Sequence, residues 1–358
     1  MDELILDILK QLRDGSQGAL DTHQLEMLIN SHNSGIDSSA HSTEREKLIP
    51  KRAILPYFLQ VKQNNDELWK SWKVTPELEE RFVHSVRMKP RRTASGVATI
   101  TVITRPHTCS SNCIYCPCDL RMPKSYLANE PACQRAELTF FDPYVQVAAR
   151  LQALHQMGHS TDKVELIVLG GTWSDYPASY QYWFIRELFR ALNEWPHSPQ
   201  HIEKRTDWYR SFGLQNTEEA LSSFVAYRQT TINAGAATYN QAFHELYDPS
   251  QAHQKAWSHM CATFDDLLEQ QHRNETAACR VVGLVIETRP DTITPDNLHM
   301  FRQLGCTKIQ IGIQSTRQEI LDANLRRMTV AQIKRAFSLI RLYGFKIHSH
   351  LMVNLLGA

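Results

Sequence analysis

Five short β-branched, apolar runs separated by amphipathic stretches predict an α/β fold in which crossover helices join parallel strands. The runs are VATITVIT (97–104), VELIVLG (164–170), RVVGLVIET (280–288), KIQIGIQS (308–315) and FKIHSHLMV (345–353). Each is nearly continuous in apolar character, as expected of strands buried on both faces of a sheet. Between them, 142–158, 180–193, 295–304 and 329–343 read as helices. An open doubly wound sheet and a barrel both satisfy this alternation.

Ahead of the first strand the pattern is helical. Leu4, Ile8, Leu25, Leu28 and Ile29 stand at helical spacing and predict short helices over residues 1 to about 30. SHNSGIDSSAHST (31–43) reads as a loop. A further helical stretch carries Trp69 and Trp72, and Thr75 caps a helix that begins at Pro76. Residues 1–90 thus form a helical N-terminal region and 91–358 the core. Residues 196–279 break the alternation: they are polar and lack a strong strand signal, with Tyr239, Phe243 and Tyr247 at helical spacing. They read as a helical insertion.

Composition narrows the function. With 358 residues, 42% of them hydrophobic, the chain can bury a large core, which excludes general disorder. No run approaches the roughly eighteen apolar residues needed for a membrane span, and the acidic start MDELILDILK lacks a basic leader region. A cytoplasmic protein with no membrane partner is the expectation. In that reducing compartment clustered cysteines bind metal or do chemistry more often than they pair. The net charge of +1 selects no partner, but RMKPRR (87–92) gathers Arg87, Lys89, Arg91 and Arg92. That run suits a solvated linker or a phosphate contact equally.

The strands run at their carboxyl ends into RPHTCSSNCIYC, GGT, ETRPD and QS, and in parallel α/β folds that edge builds the site. CSSNCIYCPC (109–118) holds four of the chain's eight cysteines. Cys109, Cys113 and Cys116, at C-x3-C-x2-C, suit three corners of a [4Fe-4S] cluster and leave one iron open. Structural zinc needs a fourth ligand, which Cys118 or His107 would supply. Tyr115 adds an aromatic wall beside the cluster, and the isolated Cys133, Cys261, Cys279 and Cys306 read as packing residues. Gly170 and Gly171 let backbone approach a ligand, and Thr172 adds a hydroxyl. From their places on the strands, Glu287, Arg289 and Gln314 join this set; a structural ion pair is the competing reading of the charged pair.

The cysteine spacing on the first strand's loop, followed by GGT, resembles the radical S-adenosylmethionine (SAM) enzymes. KPRRTASGVA (89–98), SYLANEP (125–131) with Arg135-Ala136, DPY (142–144), GHSTDKVELIVLGGT (158–172), IETRPD (286–291) and GCTKIQIGIQS (305–315) narrow the resemblance. They are similar to the catalytic subunit of Elongator and its bacterial and archaeal relatives, over residues 81–196 and 279–358. The resemblance implies a partial (βα) TIM-like barrel, a [4Fe-4S] cluster on Cys109, Cys113 and Cys116, and SAM held by Gly170, Gly171, Thr172, Glu287, Arg289 and Gln314. It further implies acetyl-CoA as co-substrate, contacted by Lys163, and tRNA as partner, contacted through Arg87, Lys89, Arg91 and Arg92. The activity implied is formation of 5-carboxymethyluridine at the tRNA wobble position through a 5′-deoxyadenosyl radical. A second copy of the chain or Elongator-like subunits would be further partners; no residue is singled out as catalytic.

The chain departs from the family in five respects. Three residues, not nine, separate its first two cysteines, Cys118 and Ala128 stand where glycine is usual, and the insertion is long. It also stops at LMVNLLGA, ahead of the acetyltransferase domain expected of the family, so a chain cut short of that domain is the expectation. These departures keep two alternatives open: a radical SAM enzyme of another class, and a tRNA-binding module with a structural cluster. The insertion is expected to offer a tRNA or partner surface.

Overall fold

The computed structural model describes residues 1–15, 18–34 and 48–358. They divide into two units, Met1–Ala98 with Leu151–Thr161, and Thr99–Arg150 with Asp162–Ala358. Residues 35–43 of the loop read over 31–43 lie outside the described residues, and residues 31–33 close a helix.

The first unit is helical, with α1 (Asp2–Asp14), α2 (Thr22–Asn33), α3 (Lys51–Asn64), α4 (Asp66–Ser71) and α5 (Pro76–Val86). Its core collects one face of each longer helix: Leu4, Ile5, Ile8 and Leu9, then Leu25, then Ile54 and Phe58, then Phe82 and Val86. Phe58 stacks on Phe82 at 4.1 Å between centroids and on Trp72 at 5.9 Å, which explains the helical spacing of the tryptophans. Thr75 caps α5 as its sequence predicts: its hydroxyl accepts from Leu78 N at 3.2 Å, with Pro76 in the first turn.

The second unit is built on a five-stranded sheet of order β1-β2-β3-β4-β5, comprising β1 (Ala98–Ile103), β2 (Lys163–Leu169), β3 (Arg280–Thr288), β4 (Lys308–Gln314) and β5 (Lys346–Leu351). Pairing from β2 through β5 is parallel, with Val164 opposite Val281, Val285 opposite Lys308, and Lys308 opposite Lys346. Sequential order and parallel pairing give an open, partial barrel. The middle strands bury Val164, Leu166, Val168, Leu284, Val285, Ile286, Ile309 and Ile311. β5 departs from the expected two-sided burial, exposing Lys346, His348, Ser349 and Leu351. It pairs only with β4 among the described residues, so one edge lacks a neighbour to cover it.

The helices of this unit are α6 (Pro131–Leu138), α7 (Pro143–Gln156, whose end belongs to the first unit), α8 (Ala178–Asn193), α9 (Pro199–Ser211), α10 (Glu218–Asn233), α11 (Tyr239–Leu246), α12 (Ala252–Trp257), α13 (Phe264–Asn274), α14 (Pro295–Gln303), α15 (Gln318–Ala323) and α16 (Val330–Leu342). The stretch 196–279 contains α9 to α13, and α13 packs along α8. No helix among the described residues is long and apolar enough to cross a membrane.

Candidate metal centre

The site lies at the carboxyl ends of the strands, where sequence reasoning put it. One cavity of about 170 Å³ is lined by Cys109, Cys113 and Cys116 from the loop after β1, Gly171 and Thr172 after β2, and Glu287 and Arg289 at the end of β3. Gln314 at the end of β4 and Arg326 complete the set. The three cysteines of the C-x3-C-x2-C run therefore face one space together.

Polar groups surround the thiols. Cys109 Sγ is 3.5 Å from the Thr172 hydroxyl, Cys113 Sγ 3.2 Å from Ser111 Oγ, and Ser125 Oγ donates to Cys116 Sγ at 3.1 Å. Two buried guanidiniums flank Cys113: Arg289 Nη1 at 3.7 Å and Arg326 Nη1 at 3.8 Å. The Cys113 thiol is drawn below its ordinary range, chiefly by the hydrogen bond from Cys116, with Ser111, Tyr115 and the Arg326 charge acting the same way against burial. Cys116 is pushed up by the same pairing and by burial. The surroundings thus favour anionic sulfur, the state in which cysteine ligates metal, at Cys113.

The fourth cysteine is separated from the other three. Cys118 Sγ donates to Cys116 O at 3.4 Å and lines a different cavity, with Asp119, Arg121 and Gln229. His107 hydrogen-bonds Asp175 O through Nε2 at 3.0 Å and stacks on Tyr176, with its pKa lowered to about 4 by burial and by Arg105. Neither lines the cavity of the three thiols, and no group of three His, Cys, Asp or Glu among the described residues is arranged to hold a single metal ion. Tetrahedral closure by a fourth ligand is not assembled, whereas three thiols about an open cavity fit a cluster with one free iron.

The GGT turn is fixed by its neighbours. A Cβ on Gly170 would lie 1.7 Å from Thr104 Oγ1, and one on Gly171, at φ +84°, would lie 2.9 Å from Lys124 O. Gly170 packs against protein and is not among the cavity-lining residues, while Gly171 and Thr172 are. Glu287 accepts from Tyr126 OH at 2.5 Å and from the amides of Gly170 and Gly171. It thus holds the turn from beneath, and burial raises its pKa against those donors.

Arg289 spends its fork on Asp291, at 2.9 and 2.7 Å. The cavity-facing guanidinium with no carboxylate partner is Arg326, which donates to Tyr115 OH at 2.5 Å and to Gly312 O and is only 4% exposed. Gln314 sits at φ +65°, where β4 breaks register, and its Oε1 is buried without a hydrogen-bond partner. A strained residue with an unsatisfied acceptor at a cavity wall is the signature of a ligand-facing position.

The remaining predicted residues lie elsewhere. Lys163 opens β2, the strand end opposite the GGT turn, and is exposed. Arg87 follows α5, and Lys89, Arg91 and Arg92 are exposed in and beside a single turn of 3-10 helix at Pro90–Thr93, within the first unit. Sequence reasoning missed Arg326 and Tyr126, whose roles come from distant contacts, and Ser111 and Ser125, which reach Cys113 and Cys116 from within the same loop. Ser125 and Tyr126 carried a signal, since both lie in SYLANEP, and Ser111 lies in CSSNCIYCPC.

The radical SAM superfamily model matches residues 260–358, which hold β3 to β5 with Glu287, Arg289, Gln314 and Arg326. Residues 260–358 are thus part of a radical SAM domain. A domain of this kind implies a [4Fe-4S] cluster and SAM. The chain's curated relatives include a tRNA uridine(34) acetyltransferase of Methanocaldococcus infernus, 31% identical over 82% of this chain and 43% of the relative. One of the same name from Dehalococcoides mccartyi is 32% identical over 75% of this chain and 44% of the relative. Elongator complex protein 3 of Schizosaccharomyces pombe is 28% identical over 78% of this chain and 41% of the relative. The chain thus spans less than half the length of these relatives. Among solved structures, archaeal Methanocaldococcus infernus Elp3 with an N-terminal deletion matches at a TM-score of 0.43 and 26% identity, covering 73% of this chain and 38% of that one.

Proposed function

We propose that this chain is the radical SAM part of a cytoplasmic enzyme that modifies the wobble uridine of tRNA, with acetyl-CoA as the source of a two-carbon unit. The observation that carries the reading is the convergence of Cys109, Cys113 and Cys116 with Gly171, Thr172, Arg289, Gln314 and Arg326 on one cavity. The relatives named for uridine 34 of tRNA supply the substrate class.

In this reading Cys109, Cys113 and Cys116 hold the cluster. A cluster held there would supply the one-electron reduction of SAM on which hydrogen abstraction from the acetyl group would depend. The residues of the chain do the rest. Arg289 and Arg326 place positive charge beside Cys113 and offset the negative charge of ligated thiolates. Arg326, free of a carboxylate partner, would receive the carboxylate of the amino-acid moiety of SAM. Gln314 Oε1 is an acceptor for an ammonium or ribose hydroxyl, and Glu287 keeps the GGT backbone in place. Lys89, Arg91 and Arg92 are exposed and form no ion pair among the described residues, which leaves them available to tRNA phosphates. Lys163 is assigned to acetyl-CoA on the family pattern.

The test is 5′-deoxyadenosine release from SAM after anaerobic reconstitution and reduction. The reading expects release, with a yield that changes when tRNA and acetyl-CoA are present together. Release indifferent to both would favour a radical SAM enzyme of another class, and a cluster that forms without cleaving SAM would favour a tRNA-binding module.

A further inference from the structure

The loop that carries the cysteines runs from residue 104 to residue 130 without a helix or strand of its own. Its own turns pair some of its backbone groups, among them Met122 N with Asp119 O and Ser125 N with Pro117 O; the others need partners from elsewhere, and buried ones are costly to leave unpaired. Many of those partners come from the insertion. Asn240, in the first turn of α11, accepts from Cys109 N through Oδ1 at 3.1 Å and donates to Cys109 O through Nδ2 at 2.7 Å. Its side-chain amide thereby pairs both backbone groups of the first cysteine, as a neighbouring strand would. Gln229 of α10 does the same across the turn beyond the third: Oε1 accepts from Leu120 N at 3.0 Å and Nε2 donates to Cys118 O at 2.9 Å. Tyr239 OH donates to Met122 O at 2.7 Å and Tyr247 OH to Leu120 O at 3.0 Å, and both rings are buried.

Four side chains of the insertion thus pair six backbone groups of the loop, on both flanks of the cysteine triplet. The helix that presents Asn240 is itself fixed, by a capping box between Thr238 and Gln241. An ordinary surface insertion would show its polar side chains to water. Here the aromatic residues at helical spacing and two amides turn inward onto the loop.

We propose that the insertion is the scaffold of the cluster loop, with Asn240 and Gln229 as positioning residues that hold Cys109 and the turn after Cys116 in ligating geometry. The proposal rests on reading Cys109, Cys113 and Cys116 as cluster ligands. A long loop held in this way before metal arrives is preorganised, so cluster binding does not have to order it. The insertion thereby adds to the loop's own turns, such as the one closed by Cys116 N on Cys113 O at 3.4 Å.

The experiment uses the full chain with Asn240→Ala, Gln229→Ala, the pair together, and Asn240→Asp. Hydrogen exchange on metal-free protein reads the scaffold by itself. Removing one hydrogen bond of ordinary net strength is expected to speed exchange roughly fivefold at the Cys109 amide in Asn240→Ala and at the Leu120 amide in Gln229→Ala. Asn240→Asp keeps the acceptor and should keep Cys109 protected, while setting an oxygen against the Cys109 carbonyl. Exchange in β3 and β4 should match the wild type in all variants, which separates a local effect from unfolding. After reconstitution, the double variant is expected to bind severalfold less iron and to show altered g-values in the EPR spectrum of the reduced cluster. Wild-type iron content and g-values in the double variant would overturn the proposal, as would unchanged exchange at Cys109. Protected amides in a wild-type protein that binds no iron would overturn the ligand reading and leave the scaffold standing.

Discussion

Gly170→Ala is the substitution whose cost the structure specifies most closely. The new Cβ would stand 1.7 Å from Thr104 Oγ1 and 2.9 Å from Thr104 Cβ, at φ +149°. Carbon and oxygen rest comfortably at about 3.5 Å, so the two chains must part by nearly 2 Å or the side chain of Thr104 must leave its place. Thr104 is held there: it is fully buried, its hydroxyl is 2.7 Å from Tyr176 OH, and its amide donates to Leu169 O at 3.0 Å. Overpacking of this kind costs about 1–3 kcal/mol, and the backbone conformation adds about 1–3 kcal/mol for any residue with a Cβ. The sum is on the order of 4 kcal/mol. Thr104→Ala alone should cost about 1 kcal/mol, for the lost hydroxyl bond. Together the two changes should cost about 1–2 kcal/mol less than their sum, because shortening the side chain at position 104 removes the nearest atom while the backbone strain stays. Urea unfolding of the four proteins in a double-mutant cycle measures this directly. A Gly170→Ala protein within about 0.5 kcal/mol of the wild type, or a coupling within about 0.3 kcal/mol of zero, would refute the packing argument.

Other expectations follow from the same contacts. Arg326→Met should weaken SAM binding by about ten- to a hundredfold, the loss expected for one charge-assisted hydrogen bond, measured by titration of the reconstituted protein. Tyr126→Phe removes the side-chain donor to Glu287 and should lower stability by about 1–3 kcal/mol, read as a shift in the unfolding midpoint, since a half-buried carboxylate loses a partner. His253, stacked on Phe224 at 4.7 Å, has its pKa lowered to about 4 by burial. Its neutral form is favoured in the folded state, so its contribution is present above about pH 6.5 and is lost as pH falls toward 4. His253→Phe should flatten that part of the stability–pH curve, and an unchanged slope would show that another group sets it.

The strands were legible because parallel, doubly buried strands must be apolar and β-branched. The structure places β1 to β4 within a residue or two of the runs read from sequence, and the carboxyl-end motifs fall where such sheets put their sites. β5 was legible as a strand but not in its burial, since exposure of an edge depends on which neighbour is present. The short helix α6 was missed because its eight residues, PACQRAEL, carry little apolar periodicity. Of the residues that line the cavity, those with a local motif were legible: three cysteines on one loop and Gly171-Thr172. Residues defined by distance in sequence were not. Arg326 reaches Cys113 and Tyr115 across more than two hundred positions, and nothing in the dipeptide Arg326-Arg327 marks one side chain as buried and the other as outward-facing. The sequence offers Arg289 as a SAM contact or as half of a structural ion pair with Glu287; its fork is in an ion pair, but with Asp291, two residues on. The inward-turned amides of Asn240 and Gln229 are likewise invisible in composition, which led the insertion to be read as surface.

The central claim is that Cys109, Cys113 and Cys116 hold an open [4Fe-4S] cluster, and the most direct measurement is the iron and sulfide content of the anaerobically reconstituted chain beside its EPR spectrum with and without SAM. The account predicts about four iron and four sulfide per chain, a reduced-cluster signal that shifts when SAM is added, and loss of both in Cys113→Ala. One zinc per chain, no sulfide, and metal retained in Cys113→Ala would contradict it.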